Sequence, residues 1–133
     1  MNTDDVGEWL EIADNDLDSA ILLNEAARKH CEIICYHCAQ AAEKYLKAYL
    51  IYNDIIPKKT HDLRFLHNLC IELDEEFSNI ITECSYLNKF ANDIRYPCKY
   101  QTNEDDVNTS INAVQKIRDF RQINNLRYME AES

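Results

Sequence analysis

Apolar residues recur three and four positions apart along most of the chain, the spacing that gathers side chains on one face of an α-helix. Trp9, Ile12, Ala13, Leu17, Ala20, Ile21, Leu23 and Ala27 predict a first helix over about 4–29. A second covers about 32–53 and stops ahead of Ile55-Ile56-Pro57, because proline cannot continue a helix and turns its predecessor towards extended backbone. Lys58-Lys59 is then a short exposed loop, with Thr60 as the cap of a helix that starts at Asp62 and carries Leu63, Leu66, Leu69, Cys70 and Leu73. Ser78 or its neighbours open a fourth helix through Ile80, Ile81, Cys84, Leu87, Phe90 and Ile94, bounded by Pro97. After a loop over 98–103, the acids Glu104, Asp105 and Asp106 mark a helix N-terminus. Val107, Ile111, Val114, Ile117, Phe120 and Ile123 form the buried stripe of that last helix.

The expected fold is all-α: an antiparallel four-helix up-and-down bundle with a short additional helix, the third, as connector. One Gly and two Pro in 133 residues leave little material for tight turns and reinforce that reading. The length suits one core, so a single domain over 1–133 is expected, its core over about 4–125 and residues 126–133 a polar, frayed tail.

Charge changes the picture unevenly. The net charge of −10 argues against general binding to a nucleic-acid backbone, so no DNA partner is expected. Before Arg28 every charged side chain is an acid, giving the first helix an acidic face. Residues 44–64 reverse this with Lys44, Lys47, Lys58, Lys59 and Arg64, and residues 89–99 add Lys89, Arg95 and Lys99. Two basic islands in an acidic chain suggest a local anion site. Asp4, Asp5, Glu8 and Glu11 near the start do not make a secretion signal, and no apolar run approaches the roughly 20 residues of a membrane span. A cytoplasmic location with six reduced Cys is the expectation, with no membrane contact.

Candidate chemistry concentrates on the second helix. At about 100° per residue, Glu43, Lys44 and Lys47 fall within about 60° of Gln40, an anion-capable stripe, while Ala42, Tyr45, Tyr49 and Tyr52 take the opposite, packed half. Cys31, Cys35 and Cys38 lie on that packed half too, so despite His30 and His37 nearby they read as small buried hydrophobes and no metal site is expected. His61 stands at a loop-to-helix junction beside two lysines, where it can titrate, shuttle a proton or simply hydrogen-bond. His67, inside the third helix, reads as a partly exposed face residue. Arg95, at a helix end before Pro97, suits bidentate recognition of phosphate or carboxylate.

Three segments, Gln40-Ala41-Ala42-Glu43-Lys44-Tyr45-Leu46-Lys47-Ala48, Thr60-His61-Asp62-Leu63 and Asp93-Ile94-Arg95-Tyr96-Pro97, resemble in order and spacing the signature blocks of the HEPN family. These are small helical domains associated with nucleotide and RNA chemistry, and the resemblance spans roughly residues 10–122. In RNA-cleaving relatives the third block carries Arg and, four to six residues later, His. Here Arg95 is followed by Tyr96, Pro97, Cys98, Lys99, Tyr100, Gln101 and Thr102, with no His. The Arg-Tyr-Pro form resembles the branch without nuclease activity, often paired with a minimal nucleotidyltransferase.

The resemblance therefore implies a noncatalytic, homodimeric domain that binds a nucleotide or RNA end, partners a minimal nucleotidyltransferase in a toxin–antitoxin-like pair, or does both. Gln40, Lys44, Lys47, His61, Arg95 and Tyr96 are its candidate ligand-binding residues, without a cofactor. Two alternatives stand beside it: a metal-independent ribonuclease toxin using Arg95 with Tyr96, Tyr100 or His61 as partner, and a purely structural dimerisation module.

Overall fold

A computed structural model describes residues 5–91 and 102–132, the side chains of the last three excepted. The described residues form six α-helices: α1 Val6–Asn24, α2 Cys31–Tyr52, α3 Leu63–Leu73, α4 Ile81–Asn88, α5 Glu104–Asp119 and α6 Arg121–Glu132. A 3-10 segment, Glu75–Ile80, leads into α4. The all-α expectation holds. The arrangement is centred on α2, which touches each of the other five α-helices, with α1 lying along it most extensively.

α1 is capped by Asp5, whose carboxylate accepts the Glu8 N–H at 3.2 Å, and buries Val6, Trp9, Leu10, Ala13, Leu17 and Ala20. It ends at Asn24, not near 29 as the pattern suggested. Residues 25–30 are all exposed, so past that point no apolar stripe remains to hold a further turn against α2.

α2 is buried from Ile34 to Ile51 apart from a few half-buried positions. Its stop is made before Pro57 is reached. Asp54 adopts a left-handed φ of 62°, and the Ile55 and Asp54 N–H groups donate back to the Leu50 and Ile51 carbonyls. This is the Schellman closure, in which Asp stands in for the usual Gly.

α3 is capped by Asp62, not Thr60. The Asp62 Oδ1 accepts the Arg64 N–H at 3.0 Å and that of Phe65 at 3.4 Å, while Thr60 Oγ1 accepts from Asp62 N at 3.1 Å. A carboxylate at the helix N-terminus satisfies two orphan donors and opposes the positive end of the helix dipole. His67 is another correction: it is 3% exposed, and its Nε2 donates to the Phe77 carbonyl at 2.6 Å.

The fourth helix was expected to run unbroken from Ser78 to Ile94. Instead Asp74 caps the 3-10 segment by accepting the Glu76 N–H at 3.0 Å, α4 ends at Asn88, and Phe90 and Ala91 are buried in the turn that follows. Ile94 and Pro97 lie outside the described residues.

α5 opens with a capping box, Asn103 and Asp106 each accepting the other's backbone N–H at 3.0 Å. The predicted single last helix breaks at Phe120, whose ψ of 132° leaves the helical region. The Phe120 ring meets Phe77 at 4.9 Å and Phe77 meets Tyr49 at 4.5 Å, so aromatic packing fixes the break. α6 then turns back onto α1, α2 and α5, burying Ile123 and Leu126. Residues 126–132 are thus helical where a frayed tail was expected, because the break aims a second apolar stripe at the core.

Candidate functional site

The stripe Gln40, Glu43, Lys44 and Lys47 does share one face of α2, but that face is covered. Gln40 and Lys47 are 7% exposed and Glu43 is 2%. Lys47 Nζ donates to Glu43 Oε2 at 2.9 Å and lies 5.6 Å from the Trp9 ring centroid. The other Glu43 oxygen, Oε1, is 2.7 Å from Nδ1 of His61. With an ammonium on one oxygen the carboxylate is the acceptor, so the His61 Nδ1–H donates. His61 itself is 63% exposed at the side chain while Glu43 is 3%. A buried carboxylate thus fixes an imidazole whose Nε2 edge is left for solvent or a ligand.

A neighbouring polar cluster continues along the α1–α2 seam. Lys44 Nζ donates to Gln40 Oε1 at 2.7 Å and lies 3.4 Å from Asp16 Oδ2, while Asp16 Oδ1 meets His37 Nδ1 at 3.2 Å. The Gln40 Nε2 is buried without a hydrogen-bond partner among the described residues. Of the six candidate residues, the structure brings Gln40 and Lys44 into one cluster and Lys47 and His61 into another. Arg95 and Tyr96 lie outside the described residues.

Both lysines of the stripe are already neutralised, by Asp16 and by Glu43. The part of this site open to a ligand is therefore His61 with the adjoining loop, where Lys58 Nζ sits 5.8 Å over the Phe65 ring. Glu43 is the residue the sequence under-weighted: its order ahead of Lys47 marks an ion pair, but its hold on His61, 18 positions away, is a tertiary contact.

Asp14 and Asp16 were read as part of an acidic face, and both are instead partnered across the fold. Arg127 grips Asp14 with two hydrogen bonds at 2.7 and 2.8 Å, and the buried Tyr45 hydroxyl donates to Asp14 Oδ1 at 2.6 Å. Burial pushes the Asp14 carboxyl up, but the Arg127 and Tyr45 hydrogen bonds with the Arg127 charge outweigh it and hold it below the usual carboxylate range. Tyr45 moves the other way, raised by burial and then by the bond to Asp14. This cluster is a clasp between α1, α2 and α6 with no open edge at Tyr45.

The cysteines follow the packing reading. Cys35, Cys38, Cys70 and Cys84 are buried and Cys31 is half-buried. Burial pushes the Cys35 thiol up to about 11 and Cys84 to about 12, away from the reactive thiolate form. Among the described residues no group of three or more His, Cys, Asp or Glu side chains is placed to hold a metal, and no helix is long and apolar enough to cross a membrane.

Comparison with known proteins bears on the family directly. The crystal structure of an archaeal HEPN homologue is similar to this chain with a TM-score of 0.67 and 24% identity, over 94% of this chain and 97% of that one. That likeness establishes the shared fold. No protein of curated function gives a significant sequence match. The model of the HEPN domain matches residues 6–124, from the first residue of α1 into α6, and takes in all three signature segments. On this match the chain belongs to the HEPN domain family.

Proposed function

We propose that this HEPN domain is a noncatalytic, homodimeric module that takes the phosphate of a nucleotide or RNA end at the His61 face, with a minimal nucleotidyltransferase as the partner that supplies chemistry. The observation that carries the ligand half is the exposed imidazole of His61 held at 2.7 Å by buried Glu43. An imidazole oriented in this way beside the cations Lys58 and Lys59 offers, in its protonated form, a fixed Nε2–H donor and positive charge to an oxyanion. Arg95 and Tyr96 belong to the same proposal through the family's third block. Dimerisation and the nucleotidyltransferase partner rest on the family resemblance, and light scattering of the purified chain checks the first.

The binding test is fluorescence anisotropy with a short 5′-phosphorylated RNA and calorimetry with ATP, on wild type and His61→Ala. His61 is the informative position, since replacing Lys47 strips a buried carboxylate of its partner and confounds binding with folding. The expected result is a loss of affinity of about tenfold in His61→Ala, with the protein still folded and melting modestly below wild type because Glu43 Oε1 loses its partner. Equal affinity in both proteins removes His61 from the site.

The same contact favours a second reading, RNA cleavage with His61 as proton carrier and Arg95 as its partner in the reaction. A carboxylate-anchored imidazole is the arrangement general acid–base chemistry uses. Incubation with structured RNA decides between the two readings: cleavage abolished by both Arg95→Ala and His61→Ala selects the ribonuclease, and intact RNA selects the binding module.

A further inference from the structure

The cations of this acidic chain are unevenly partnered. Lys29, Lys44, Lys47, Lys116, Arg118 and Arg127 each face a carboxylate. No carboxylate among the described residues pairs with Arg64 of the first basic island or Lys89 of the second. The fold brings these two side chains to one place, a groove of about 590 Å³ between α3 and α4, within the size range of small-molecule sites. None of the acids among the described residues lines this groove.

Its remaining walls suit an anion as well. Lys89 is held with Nζ 4.0 Å from the Tyr86 ring centroid and 5.4 Å from that of Phe90, contacts that position the ammonium; Asp106, which accepts from the Tyr86 hydroxyl, feels its charge but makes no ion pair with it. Asn88 spends its Oδ1 on the Leu63 N–H at 2.9 Å, which leaves its amide Nδ2 as a donor. Ser85 and Asn68 add a hydroxyl and a second amide, and Ile81, 52% exposed, adds an apolar wall. The groove shares no residue with the Glu43–His61 contact.

We infer that the α3–α4 groove is a second ligand site, which takes a small phosphate-bearing molecule of nucleoside monophosphate size. Arg64 and Lys89 receive the phosphate, the Asn88 and Ser85 groups complete its hydrogen bonds, and Ile81 meets the flat apolar part. A doubly charged phosphate between two cations not matched by carboxylates is the complement of the groove's donor set.

Calorimetry at low salt with AMP, ribose 5-phosphate and adenosine tests this site. AMP and ribose 5-phosphate are expected to bind and adenosine not. In the His61→Ala background, which removes the first proposed site, AMP is expected still to bind, and Arg64→Ala/Lys89→Ala to weaken it by about tenfold or more, since each change removes a charge-assisted contact. Ser85→Trp fills the groove while keeping both cations and is expected to abolish binding. All three positions are exposed, so the variants retain the fold. A 5′-phosphorylated trinucleotide assigns the source: affinity matching AMP points to an RNA end, weaker affinity to a free nucleotide. The inference is overturned by absence of binding by either phosphate probe at millimolar concentration. AMP affinity unchanged by Arg64→Ala/Lys89→Ala in the His61→Ala background, or no AMP binding left in His61→Ala alone, overturns it equally.

Discussion

Glu43 stands four residues ahead of Lys47, an order that on an isolated helix contributes only about 0.2–0.5 kcal/mol. Burial changes the scale, because side chains 3% and 9% exposed have lost the water that would otherwise solvate either charge alone. Glu43→Ala leaves an unpaired buried ammonium and frees His61, and is expected to cost about 3 kcal/mol. Glu43→Ala/Lys47→Met removes both charges and is expected to recover most of that loss. Urea unfolding of the two variants measures it; a cost of Glu43→Ala below about 1 kcal/mol means that the pair behaves as a solvated one. The Glu43–Lys47 order was visible in the chain, while the third member, His61, joins through a loop whose path only the fold supplies.

Among the helices, those whose ends carry a local signal were the easiest to place. α2 begins and ends within a residue of expectation, and the acids Glu104, Asp105 and Asp106 do open α5, whose end at Asp119 falls short of expectation. The α3 start differs by which side chain does the capping. Asp62→Ala removes an acceptor for two N–H groups and is expected to cost about 1 kcal/mol, with Thr60→Ala well below it. Thermal melts of the two single variants give the ranking, and a reversed order would return the cap to Thr60. The break at Phe120 left no such signal, since Ile117, Phe120 and Ile123 keep helical spacing through it. The edge-to-face contact of Phe120 with Phe77, 43 positions earlier, is what holds the turn.

For the molecule as a whole, the bond between Asp14 and Arg127 ties the last helix to the first across 113 positions. Because the Asp14 pKa lies below its ordinary value, this contribution is fully present above the unfolded carboxylate pKa of about 3.9. It is lost as pH falls through the lower, folded value. Arg127→Ala is therefore expected to melt below wild type at neutral pH, with the gap narrowing as pH drops under about 4. Melting curves across that range check the sign; a gap that widens towards acid contradicts the clasp. The charge map changes at this scale too, because the acidic face of α1 is partly consumed by Arg127 and Lys44.

The sequence by itself determined the all-α class, the apolar faces of the helices, the family and the residue types gathered around Gln40 to Lys47. Those properties rest on spacing of three and four and on side-chain chemistry, both local to the chain. Tertiary structure alone decided that the α2 stripe is buried and self-neutralised, that His67 is internal, and that Phe120 divides the last helix in two. It also decided that Arg64 and Lys89, 25 positions apart, share a groove that no carboxylate of the described residues lines. The reason is common to all four: each depends on which surfaces the other helices cover, and α2, touched by every other α-helix, has no free side on which its own periodicity could predict exposure.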